Sequence, residues 1–432
     1  MANVRSAVVL VFDRLRAGFL GPYGGTWCET PATNRLAAQG YLAEHAWSDS
    51  PTLDAVYRSY WSGRHAACRS LAEEGDLSAV VPAGMALADR LATAGRHAEL
   101  WTDDPQVASH RWGEAFGERM VLSVDEPVAT ADSAGAMRVA QMLAQVAERL
   151  DSLPEGGLLW MHAAAWDESW DAPWAFRAEL ADEEDPEPPE FAVPPQKTAG
   201  SGELDPDELL GYVQAYAGQV AAWDACLEAW MAAFESSRLA DDALLVVTSP
   251  RGYPLGEHGV VGGEGAGLFG ELLQVPFFLR HPGASWPLIR DQRLWQPPDL
   301  YATLVDWFEL PRRTEEGWGE SILPRARGEL SSAATWAAAI GALGDKRFAV
   351  RTPHWLLHAN EPTSAGYTES TTSDQSDATF EPTGLYLKPD DRWEANEVSA
   401  RCQETVESLV ERLPAFRRAL DASTRSTAPT GE

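Results

Sequence analysis

Cysteine is scarce. The chain has four, Cys28, Cys68, Cys226 and Cys402, far apart and in no metal-ligand spacing, so they read as reduced, unpaired thiols outside any disulfide framework or thiolate metal site. Basic charge is also short: 34 Lys and Arg face 65 Asp and Glu, a net charge of −31. Binding to nucleic acid or to an anionic membrane surface needs clustered cations, and both partners are excluded on that ground. No apolar run approaches the roughly 20 residues of a membrane span. The opening "MANVRSAVVLVFD" enters a strand at once, with no small-residue cleavage pattern of a signal peptide. A cytoplasmic protein is expected.

What the chain does have is length and tryptophan. Its 432 residues can bury a large core, and its 18 Trp are expected to pack that core. The excess acid gathers in "ELADEEDPEPPE" and "GELDPDE", which read as a solvated, Pro-rich acidic insertion at about 180–208 that a basic protein partner could meet. A buried parallel strand is predicted at "AVVLVFD" and further strands at "HAELWT", "RMVLSV", "GGLLWMHA", "ALLVVTS" and "VPFFLRH", with helical patterns between them. The alternation predicts an α/β fold over residues 1–325, a mainly parallel central sheet sandwiched by helices. Over residues 326–422 the alternation stops. Short strands, a polar loop at about 361–381 and the amphipathic "ANEVSARCQETVESLVERLPAFRRAL" predict a small C-terminal sheet plus helix there. Residues 423–432 read as a disordered tail.

Three stretches together resemble the sulfatases of the alkaline phosphatase superfamily. "VVLVFDRLRAGFLGPYGG" resembles their opening strand, "DSPTLDAVYRSYWSGRH" their nucleophile helix, and "SPRGYPLGEHG" their late strand-end motif Ser-Asp-His-Gly or Ser-Asp-Asn-Gly with its Leu-Gly-Glu-His-Gly close. "LFGELLQVPFFLRHPG" and "LYLKPDDRWEANEV" resemble the segments that follow, so the likeness covers nearly the whole chain. It implies the alkaline phosphatase/sulfatase-like fold and a hydrolase ancestry.

Against that pattern, the residues that differ are the chemical ones. The resemblance implies a divalent metal, usually calcium, held by two acidic residues after the first strand and an Asp plus an Asn or His after the late strand. Here Asp13 matches the first, while Arg14, Pro250 and Arg251 occupy the other three positions. The position of the Cys or Ser that becomes formylglycine falls on Leu53, with Ala55 and Tyr57 at the motif's proline and arginine; a one-residue slip would place Asp54 and Arg58 instead. Neither register supplies a modifiable residue. His162 matches a substrate-side His, Asp167 stands where a second His belongs, and Thr102, Asp103 and Asp104 occupy the region of the family's sulfate-binding Lys and His. A family Lys position meets Gly263 or Glu264.

These losses predict a catalytically degenerate sulfatase-like protein without metal or formylglycine cofactor. A buried Asp13 lacking its cation would be costly, so Arg251, with Arg14 beside it, is predicted to replace the metal by charge-assisted hydrogen bonds. Glu257 and His258 lie in the retained loop and read as loop-ordering; His65 reads as structural, and Arg64 either faces the old pocket or caps the helix. A helix starting near Ser50 or Thr52, with Pro51 in its first turn, could seat a sulfate- or phosphate-bearing small molecule with Arg14, Arg58 and Arg251. The alternative is a divergent sulfuric-ester or phosphoric-ester hydrolase with Thr52 or Asp54 as nucleophile.

Overall fold

The computed structural model describes residues 5–68, 84–123, 127–167, 169–190, 193–195, 197–198, 205–263, 267–311, 317–329, 339–342, 347–361 and 380–422. The predicted tail at 423–432, most of the polar loop at 361–381, part of the acidic insertion and Glu264 lie outside them.

Fourteen strands are described: β1 (Ser6–Phe12), β2 (Tyr41–Ala46), β3 (Ala98–Thr102), β4 (Glu118–Val121), β5 (Leu158–Ala163), β6 (Lys197–Thr198), β7 (Ala243–Thr248), β8 (Val260–Val261), β9 (Phe277–Arg280), β10 (Ile289–Trp295), β11 (Ala339–Ala342), β12 (Arg347–Arg351), β13 (Trp355–Asn360) and β14 (Glu381–Leu387). Eight form one sheet in the order β10-β2-β9-β7-β1-β5-β3-β4. All its pairings are parallel except those of β9, which runs against both neighbours. The continuous apolar runs of β1, β5 and β7 are buried throughout because helices cover both faces of the sheet.

On one face the helices Pro31–Ala37, Arg138–Arg149 and Pro206–Ser236 share a core with Val8, Leu10 and Phe12. On the other, Leu53–Ser62, Leu87–Thr93 and Pro297–Trp307 pack on Val9 and Val11. Tryptophan does the filling: Trp61, Trp112, Trp160, Trp166, Trp170, Trp223, Trp295, Trp307 and Trp318 are among the largest fully buried side chains. All four cysteines are free thiols. No helix among the described residues is long and apolar enough to cross a membrane.

The antiparallel sheet β11-β12-β13-β14 follows, backed by the helix Gln403–Asp421 through Val406, Leu409, Leu413 and Phe416. A small apolar seam of Trp47, Leu273 and Leu294 against Ala349, Leu356 and Tyr386 joins it to the main sheet. The strands β2 and β10 carried no clear signal in sequence. Glu44 and His45 in β2 and the charged alternation of the edge strand β10 break up their apolar patterns. The acidic insertion is not wholly free: Arg177 donates to the carbonyls of Pro189 and Glu190, and residues 206–208 already form the first turn of the long helix, capped by Asp205.

β1 lies between β5 and β7, and connections leave it in both directions. In open α/β sheets such a switch point, at the carboxyl ends of the strands, is where side chains converge on a crevice.

Candidate functional site

Register decides which residues meet there. Val11 pairs with His162 on one side and Thr248 on the other, so Asp13, Ala164 and the turn Ser249–Arg251 emerge together at the same end of the sheet. The backbone N–H of Asp13 still donates to the Ala163 carbonyl at 2.9 Å, which holds the carboxylate just beyond the last strand residue.

The Asp13 carboxylate is wholly buried and is clasped by one guanidinium. Arg251 Nε lies 3.0 Å from Oδ1 and 3.3 Å from Oδ2, and Nη2 donates to Oδ2 at 2.8 Å. Nη2 also reaches Asp167 Oδ2 at 3.3 Å, and Nη1 reaches the Pro51 carbonyl at 3.4 Å. Arg14 Nε donates to the other oxygen of Asp167. Two arginines and two carboxylates therefore form a linear chain, Arg14–Asp167–Arg251–Asp13, with Arg251 4 % exposed and Asp167 a third exposed. Planar guanidinium suits this geometry, since its fork matches two carboxylate oxygens at once.

The backbone is shaped to make the chain. Arg14 adopts φ 61° and Ala165 φ 43°, uncommon values for residues with a Cβ. They turn Arg14 and Asp167 toward each other. Tyr216 donates to the Arg14 carbonyl at 2.7 Å and accepts from the Arg16 N–H at 2.9 Å. Ser249 accepts from the Leu15 N–H at 3.2 Å and donates to the Arg251 carbonyl at 2.6 Å, tying the two strand ends together. A second pair, Arg16 with Glu257 at 2.6 Å, lies alongside. Burial opposes the Glu257 charge, but Arg16 and the backbone N–H of Leu255 outweigh it and hold the carboxyl below its usual range. Arg16 lies within the opening motif, two residues after Arg14, but no role was read for it from the sequence.

The remaining candidates are dispersed around this centre. Leu53 is buried in the apolar core with Val56 and Trp61. Thr52 is the N-cap residue of the helix Leu53–Ser62 but its side chain makes no cap; instead Thr52 Oγ1 meets Ser50 Oγ at 2.9 Å. Pro51 precedes the helix and does not enter its first turn, contrary to expectation, because the turn begins only at Leu53. Asp54 projects outward, 3.2 Å from His110 Nε2, and that contact lowers its pKa. Arg58 points to the far side of the helix, donating to the Ala66 carbonyl at 2.6 Å. Asp49, buried beside it, accepts from Ser59 at 2.6 Å and Ala66 N–H at 2.9 Å. Burial nevertheless pushes its pKa up to about 7.

Arg64 follows the left-handed Gly63 that ends the helix, and only its backbone N–H bonds there, to Ser62 Oγ. His65 accepts from the Ala67 N–H and packs on Trp318. His162 is fully buried, its Nδ1 2.7 Å from the Tyr57 hydroxyl. Asp103 accepts from Ala164 N–H and Arg138, and Asp104 caps the helix Pro105–Ala108. His258 lies apart from Asp13, stacked on Phe269 at 3.5 Å, with Nδ1 2.7 Å from Glu271 and Nε2 3.2 Å from the Glu394 carbonyl. Pro250 contributes no donor or acceptor side chain.

One group of potential metal ligands, His97, Glu99 and Glu118, occurs among the described residues. It lies at the opposite, amino end of β3 and β4, and its buried member Glu99 is already bridged by Arg149 at 2.6 to 3.2 Å and by Trp101 at 3.0 Å. A guanidinium fills that position too.

The comparisons agree with the fold. The family model described as Sulfatase matches residues 164–310, while no curated protein matches the chain. Among solved structures, the chain is similar to the phosphonate monoester hydrolase of Agrobacterium radiobacter (15 % identity, TM-score 0.72, 96 % of each chain covered). It is also similar to a 2-O GAG sulfatase (15 %, TM-score 0.71, 97 % of this chain and 92 % of that one). A third is the phosphonate monoester hydrolase of Silicibacter pomeroyi (15 %, TM-score 0.68, 99 % of this chain and 96 % of that one). Likeness at such identity speaks to fold. Over residues 164–310, the segment that carries Asp167 and Arg251, the chain matches the sulfatase family model, and over nearly its whole length it shares the fold of these hydrolases.

Proposed function

We propose that this chain is a noncatalytic member of its superfamily, a binding or regulatory protein in which Arg251 has replaced the metal ion. The observation that carries this reading is the engagement of both Asp13 oxygens by one buried guanidinium. Calcium takes about six or more oxygen ligands. Around Asp13 the second carboxylate, Asp167, is shared between Arg14 and Arg251, and Pro250 supplies no oxygen from its side chain. That donor set does not suit a divalent cation, and a guanidinium does not deprotonate to make room for one.

The nucleophile position supports the same reading. Leu53 is an apolar core residue, so no covalent ester-transfer step starts from it. Thr52 and Asp54 are the alternatives for a divergent hydrolase; Thr52 Oγ1 is paired with another hydroxyl, and Asp54 faces His110 at the surface. Purified protein tested on aryl sulfates and aryl phosphates, with added calcium, magnesium, manganese or zinc, is expected to turn over none of them. Turnover that Thr52→Ala combined with Asp54→Ala abolishes would replace this proposal with the hydrolase reading. Stoichiometric calcium bound at micromolar affinity would reject the arginine-for-metal exchange.

A further inference from the structure

A cavity of about 130 Å³ opens where β2, β10, β12 and the turn after β14 meet, and none of its lining residues belongs to the Asp13 cluster. A single water needs roughly 10–15 Å³ on this scale, so the space holds on the order of ten waters. Its ionisable lining residues are Glu44, His45, Arg290, Arg351, Lys388 and Arg392.

Their charges do not balance. Arg290 is met by Glu44 at 3.1 Å, and Lys388 by Glu394 together with the carbonyls of Asp391 and Arg392. Arg351 is only 2 % exposed, yet its Nε and Nη1 are buried without any hydrogen-bond partner; its neighbour is the Trp47 ring, 5.9 Å away. Arg392 stacks on Trp393 and forms no ion pair among the described residues. Four cations thus face two carboxylates, in a chain whose net charge is −31. Burial pulls the Arg351 pKa down to about 10, which leaves it cationic near neutrality. The charge that offsets Arg351 is Glu394, which is already bonded to Lys388, so the buried guanidinium has no ion pair of its own among the described residues and an anion in the cavity would complete it.

We propose that this cavity binds the tetrahedral oxyanion group of a small molecule, a phosphate or sulfate, with Arg351 as its buried anchor and Arg392 as its rim contact. Arg351 and Arg392 both line the cavity and place two guanidinium charges on it, and the remaining space takes part of the group that carries the anion. Arg290 and Lys388 add positive potential while staying paired. The site is independent of whether Arg251 has replaced a metal.

The test is thermal denaturation and titration calorimetry of the full chain with sodium phosphate and sodium sulfate, against sodium chloride at equal ionic strength. One of the two oxyanions is expected to raise Tm well beyond chloride, with one site per chain, since a ligand bound only by the native state stabilises it by mass action. Arg351→Met should abolish the effect and Arg392→Ala should weaken affinity at least about tenfold, while Arg251→Met retains it. Arg392 is partly exposed, so its variant tests the proposal even where Arg351→Met folds poorly. No stabilisation beyond chloride, or binding that Arg392→Ala leaves unchanged, overturns it. Binding that Arg251→Met removes would instead assign the anion to the Asp13 region.

Discussion

Arg251→Met is the perturbation that most directly tests the electrostatics of the Asp13 centre. Methionine keeps much of the side-chain length and removes three contacts to Asp13, at 2.8, 3.0 and 3.3 Å. Asp13 is wholly buried and Arg251 nearly so, so the exposed-pair value of about 0–1 kcal/mol does not apply. Removing one partner of a buried pair strands the other, at about 3–5 kcal/mol. Asp13→Asn should cost less, about 1–3 kcal/mol, because Arg251 keeps Asp167 and the Pro51 carbonyl. The double variant leaves no stranded carboxylate, and it should fall short of the summed losses by about 2 kcal/mol or more. Urea denaturation of the four proteins at pH 7 measures this cycle. A loss below about 1 kcal/mol for Arg251→Met, or a cycle additive within about 0.5 kcal/mol, would refute the reasoning.

Rebuilding the ligand pattern of the sulfatases with Arg14→Asp, Pro250→Asp and Arg251→Asn should create calcium binding detectable by calorimetry, while the parent protein is expected to give no such signal; Asp is well suited to the left-handed φ at position 14. Asp49, whose pKa is raised to about 7 by burial, favours the fold only while protonated. Its contribution is complete below the unfolded value of about 3.9 and is lost as pH rises through 7. Asp49→Asn should therefore become progressively more stable than the parent between about pH 4 and 7, and denaturation midpoints across that range check it. His258 is opposed by burial, but its bonds to Glu271 and the Glu394 carbonyl outweigh this and raise its pKa. Its stabilisation is complete below about 6.5 and declines as pH rises through the higher folded value; NMR titration of the imidazole should give a midpoint above 6.5, removed by Glu271→Gln.

The strand ends could be placed from sequence because "AVVLVFD" and "ALLVVTS" are uninterrupted apolar runs, and such runs mark buried parallel strands whose ends must lie together. Asp13 and Arg251 were legible for that reason. Asp167 was legible as a position but not as a partner: its reach to Arg14 depends on positive φ at Arg14 and Ala165, which residue type does not announce. His258 read as loop-ordering, but its partners were not legible. Its motif sits next to Arg251 in sequence, yet the loop carries it away to Phe269 and Glu394, and neighbours in sequence part company in space. The Arg351 cavity left no trace at all, since it is assembled from the edge strand β10, its neighbour β2, a second sheet and a turn.

The partners at the heart of the fold are 238 residues apart along the chain, and this bears on how the protein is made. At about 5–20 residues per second, synthesis needs roughly 10–50 s to proceed from one to the other. Throughout that interval β1 lacks its neighbour β7, and Asp13 has no guanidinium to meet. Until then the sheet can form on the β5 side of β1 but stays open on the β7 side, so the centre of the fold closes only late in synthesis.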